Sequence, residues 1–75
     1  MEITRIEVQG LPDDDAAAQL EKDLTGRTGV PRASVDPTLQ LAEVTYDPDC
    51  VSPDDIVRWI KAAGYEARFA GHRAG

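Results

Sequence analysis

Few residues of this chain could do chemistry. It has one cysteine, Cys50, and one histidine, His72. Its carboxylates crowd at Asp13, Asp14 and Asp15, just after Gly10-Leu11-Pro12, and at Asp47 and Asp49, beside Cys50. A thiolate and an imidazole, with an oxygen from Asp47 or Asp49, make a mixed donor set suited to zinc or a similar ion. Asp13, Asp14 and Asp15, with Asp36, offer oxygen alone and would suit a hard cation. Each set has a simpler explanation. Consecutive aspartates at a helix start cap free N–H groups and favour the positive end of the dipole, while their side chains diverge. Cys50 and His72 read as a partly exposed thiol and a solvated residue in a glycine-rich tail. Nucleophilic catalysis would need a base beside Cys50, and the one histidine lies in that tail, so the chain is not expected to be an enzyme.

At 75 residues the chain makes one small domain, with little core to spare. A single cysteine allows no internal disulfide. The net charge of −6 opposes binding to nucleic acid and to anionic membranes. It suits a protein partner with a basic surface, although acidity also serves solubility alone. No apolar run is long enough to cross a membrane, and the start lacks the pattern of a signal peptide. A cytoplasmic location without direct membrane insertion is therefore expected.

The elements that must position these residues follow from periodicity. Ile6 and Val8 alternate with Arg5, Glu7 and Gln9, which predicts a strand over about 2–9. Gly10-Leu11-Pro12 breaks it, and Ala16, Ala17, Leu20 and Leu24 then recur at helical spacing until Gly26 and Gly29. Pro31 to Val35 and Leu39 to Tyr46 read as strands joined by the tight turn Asp36-Pro37-Thr38. Ser52-Pro53-Asp54-Asp55 is a helix start, with Ser52 as cap. Ile56, Ile60 and Ala63 form its buried stripe, edged by Val57 and by Trp59, which would pack helix to sheet; Gly64 ends it. Tyr65, Ala67 and Phe69 alternate in a last strand. Tyr46 and Phe69 are expected in the core or at its edge. The domain is expected to occupy 1–70, with a flexible tail over 71–75.

Strand, helix, strand, strand, helix, strand is an α+β order. With right-handed crossovers it gives a ferredoxin-like βαββαβ sandwich, a four-stranded antiparallel sheet with two helices on one face. The loop at 10–15 and the turns at 36–38 and 64–65 should then share one end. The turns at 25–31 and 47–52 should share the other, so Cys50 cannot join Asp13 at one ion.

With these elements in place, the chain resembles the heavy-metal-associated domain family. That family includes copper chaperones, a mercury carrier and the N-terminal domains of metal-transporting P-type ATPases. Val8-Gln9-Gly10-Leu11, Leu20-Glu21-Lys22 with Leu24, Gly29-Val30, Tyr46-Asp47-Pro48 and Ala63-Gly64-Tyr65 carry the resemblance, over about 3–69. The family motif is Gly-Met-x-Cys-x-x-Cys. Its cysteine positions fall on Asp13 and Ala16, and Leu11 takes the place of its methionine. Soft ions such as Cu(I) select thiolates, which a carboxylate and a methyl group do not replace.

The resemblance therefore implies a degenerate domain, a docking or regulatory module in metal-ion transport or homeostasis. Asp13, Asp14, Asp15 and Tyr65 would form its docking surface, toward a metal chaperone or a metal-transporting ATPase. One alternative is direct binding of a copper or zinc ion, or metallochaperone activity, through Cys50 and His72 or through the Asp13–Asp15 loop. Another is reuse of the fold for unrelated protein–protein assembly.

Overall fold

The computed structural model describes residues 1–74, with side chains described as far as Gly71. The elements are β1 (Glu2–Gln9), α1 (Asp14–Thr25), β2 (Arg32–Asp36), β3 (Leu41–Tyr46), α2 (Pro53–Ala62) and β4 (Glu66–Ala74). The sheet order is β2-β3-β1-β4, and every neighbouring pair is antiparallel. This is the ferredoxin-like sandwich that the element order implies.

Local chemistry explains where the helices begin. Asp13 caps α1 and Ser52 caps α2. At α2 the capping box is complete. The Ser52 hydroxyl accepts from the Asp55 N–H at 3.3 Å, and the Asp55 carboxylate accepts from the Ser52 N–H at 3.1 Å. The one core joins both layers. Ile6 and Val8 of β1, Val44 of β3, Leu24 of α1, and Ile56 and Ile60 of α2 are fully buried. Burial of each such side chain is worth about 1.5–3 kcal/mol, so a domain this small depends on all of them.

The structure differs from expectation in five places. β3 begins at Leu41 rather than Leu39, because Leu39 and Gln40 complete the turn, Gln40 with a φ of +52°. β4 does not end near Phe69. It runs to Ala74, because residues 71–74 pair with Arg5–Glu2 of β1, where a tail was expected. The Thr4 hydroxyl, fully buried, helps hold this extension by donating to the Gly71 carbonyl at 3.2 Å. Phe69 is not core. It lies on an edge strand with a strand neighbour on one side only, next to a register shift, and is 53% exposed. Ala63 is exposed, since it caps α2 rather than continuing its buried stripe. Trp59 is half-buried at the core edge. The guanidinium of Arg27, from the turn after α1, lies 4.6 Å over its ring centroid and also reaches Asp23 at 3.5 Å, so Trp59 engages the end of α1 as well.

Candidate functional site

The loop between β1 and α1 is built from three constraints. Gly10 has φ +95°, which an L side chain adopts only under strain. Leu11 turns inward and is buried, a plug beneath the loop. Asp13 is extended and caps α1, its Oδ1 accepting from the Ala16 N–H at 2.9 Å. Asp13, Asp14 and Asp15 are all exposed, and Asp14 and Asp15 stand in the first turn of α1. Three exposed carboxylates thus share one helix end, where the positive pole of the helix favours them.

The β2–β3 turn meets this loop. The carboxamide oxygen of Gln40 accepts from the N–H of Gly10 at 3.0 Å and of Leu11 at 3.2 Å. Its nitrogen donates to the carbonyls of Leu11, at 3.1 Å, and Pro37. Tyr65 closes the third side. It is half-buried, and a Cβ placed on Gly10 would stand 3.9 Å from its Cδ1. The residues expected to form a surface at this end, Asp13, Asp14, Asp15 and Tyr65, therefore do border one loop. Asp36 belongs to the adjacent turn, where its Oδ1 accepts from the N–H groups of Thr38 and Leu39 at 2.9 and 3.2 Å.

Cys50 lies at the other end of β1. There the N–H of Asp47 donates to the Gly29 carbonyl at 2.8 Å, and the N–H groups of Cys50 and Val51 donate to the Asp47 carbonyl at 3.0 and 2.9 Å. Glu2 pairs with Tyr46 near this end and Gln9 with Glu66 at the loop end. Seven residue steps along β1 separate the two, about 23 Å. Cys50 is exposed, with Sγ 3.7 Å from Asp47 Oδ2. The Asp47 charge pushes its thiol above the usual range, helped by partial desolvation, by the contact with that same carboxylate and by Asp49. His72 stands in β4 opposite Thr4, and its side chain lies outside the described residues.

Among the described residues, no three His, Cys, Asp or Glu side chains converge as a metal site. At the loop the reason is visible. Asp13 is turned to the Ala16 N–H, and Ala16 offers only a methyl group. This donor set does not fit a soft ion held by paired thiolates.

Gln40 is the residue that sequence reasoning missed. Three of its four side-chain bonds are made with a β1 loop 29 and 30 residues away, and its φ is +52°. The one local signal was a long polar side chain just past a Pro-Thr turn.

A match to the heavy-metal-associated domain covers residues 5–66, and the chain belongs to that family. Among curated relatives it is 33% identical over 66 residues to "Probable copper-transporting ATPase HMA5" of Arabidopsis thaliana, covering 88% of this chain and 7% of that protein. It is 30% identical over 67 residues to copper-transporting ATPase ccc2 of Schizosaccharomyces pombe, covering 89% of this chain and 7% of that protein. The chain thus spans less than a tenth of these relatives' length. Among solved structures, a copper binding domain from HMA7, a P-type ATPase, superposes with a TM-score of 0.92 at 30% identity, covering 96% of this chain and 97% of that one. The chain is thus a heavy-metal-associated domain related to those of copper-transporting proteins, and no helix among its described residues is long and apolar enough to cross a membrane.

Proposed function

We propose that this domain is a docking or regulatory module in metal-ion transport that works without the family's thiolate site. One observation carries the reading. At the two motif positions stand Asp13 and Ala16, and the only donor among them is spent on a helix cap. The frame around them is kept. The Leu11 plug, the Gly10 turn and Tyr65 hold a loop that displays three carboxylates. Such a loop suits a partner with a basic surface, by charge complementarity. The relatives named above are copper-transporting ATPases, so a metal-transporting ATPase, or a metal chaperone that serves one, is the fitting partner class, and a cytoplasmic setting accords with it. The sheet face away from the helices does not favour nucleic acid, because Arg5 and Arg68 there pair with Glu43 at 3.1 Å and Glu7 at 2.6 Å.

The test is an amide NMR titration with an apo copper chaperone of the same organism. Shifts should centre on Asp13–Asp15 and Tyr65 and vanish in the Asp13→Lys, Asp14→Lys, Asp15→Lys variant. Shifts unaffected by that variant would contradict the docking surface.

A further inference from the structure

We infer that Gln40 is the positioning residue that fixes the shape of the 10–15 loop in place of a bound ion. The observation is the saturation of its carboxamide. The oxygen takes the N–H groups of Gly10 and Leu11, and the nitrogen gives its two hydrogens to the carbonyls of Leu11 and Pro37. Both donors and both acceptor sites are filled, three of them by the loop itself. In a loop whose two motif positions carry no thiolates, a metal cannot tie the first helical turn to the strand before it. A side chain from the β2–β3 turn instead ties the start of the loop, at Gly10 and Leu11, to that turn.

The backbone shows how firmly the pin is seated. Gln40 sits at φ +52°, a conformation that costs an L residue energy and persists where the surroundings hold it. Its own carbonyl accepts from the Val8 N–H at 2.9 Å, so main chain and side chain grip both sides of the β1 end. Beyond the pinned Leu11 only Pro12, with its restricted φ, separates this anchor from the Asp13 cap. Together they leave the carboxylates of Asp13–Asp15 on a pre-set support. A partner then meets an ordered loop and loses less entropy on binding.

The inference takes from the docking reading only that this loop is the working surface. Its test uses neither partner nor metal, so the two can fail separately. Amide hydrogen exchange of the full chain is compared between the native protein, Gln40→Gly and Gln40→Glu. Glycine accepts φ +52° and keeps the main-chain bond to Val8 while deleting the carboxamide. Glutamate removes both donors and sets a carboxylate oxygen against the carbonyls of Leu11 and Pro37. In Gln40→Gly the Gly10 and Leu11 amides should exchange about tenfold faster, while Ile6 and Val44 change by less than about twofold. In Gln40→Glu the Gly10 and Leu11 amides should also exchange faster than in the native protein, because the carboxylate is repelled from the Leu11 and Pro37 carbonyls. Unchanged exchange at Gly10 and Leu11 in the glycine variant would overturn the inference. So would equal acceleration throughout the chain, or native exchange at Gly10 and Leu11 in Gln40→Glu.

Discussion

Asp13 and Ala16 are joined by a hydrogen bond of 2.9 Å, from the Ala16 N–H to the Asp13 carboxylate. On the alignment that the family resemblance implies, the two cysteines of the motif fall at these positions. The bond makes Asp13 a helix cap, so that its carboxylate ties the loop to the first turn of α1. Removing the cap should cost stability. Asp13→Ala should lower the unfolding free energy by about 1 kcal/mol, the usual worth of an N-cap side chain. Chemical denaturation measures it. An unchanged midpoint would mean that the cap contributes nothing.

Restoring both thiols should restore the missing chemistry. Asp13→Cys with Ala16→Cys should yield a folded domain that binds one equivalent of Cu(I), since the frame around the loop matches the family over 5–66. Competition against a Cu(I) chelator reads this directly. A folded double variant that fails to compete would show that the frame no longer presents the two positions to an ion.

Gly29 should tolerate no side chain. Its φ is +90°, and a Cβ there would lie 2.7 Å from Val51 Cγ2 and 3.0 Å from the Cys50 Cβ. Gly29→Ala should destabilise the domain by about 2 kcal/mol or more, from left-handed strain and overpacking together. Thermal unfolding checks it, with Gly71→Ala as control, since open space surrounds that position.

Acid should loosen α2 through its cap. The Asp55 carboxyl is held below its ordinary value of 3.8, first by the backbone N–H of Ser52; desolvation opposes this, and the Ser52 hydroxyl and Arg58 add to the lowering. A depressed carboxylate contributes stability that is complete above the unfolded value and is lost as pH falls through the folded one. Stability should therefore fall below about pH 4, and part of that fall should disappear in Asp55→Asn. Urea unfolding across pH 2–6 tests this. Identical acid profiles for the two proteins would remove the capping box from the account.

The fold was legible because its signals are local. Alternation of Ile6 and Val8, the helical spacing of Leu20 and Leu24, and the Ser52-Pro53 start each act within a few residues, and each is where expected. The misses arise from contacts distant in sequence. β4 extends past Phe69 because Glu2–Arg5 offers it a partner, and no residue of β4 itself announces that pairing. Phe69 looked like core by alternation, but edge position exposes it. At the site, a cap among Asp13, Asp14 and Asp15 was readable from their place before Ala16 and Ala17, and the structure gives it to Asp13. Gln40 was not, because its bonds reach back to Gly10 and Leu11 across a whole helix and strand.

The most direct measurement is a two-dimensional amide NMR titration of the native chain with Cu(I), then Zn(II), under reducing conditions. The account predicts no shifts at Gly10 to Ala16 at stoichiometric metal, since Asp13 and Ala16 supply no thiolate. Saturating shifts in that loop at one equivalent of either ion would contradict it, and would make this domain a metal carrier with a different ligand set.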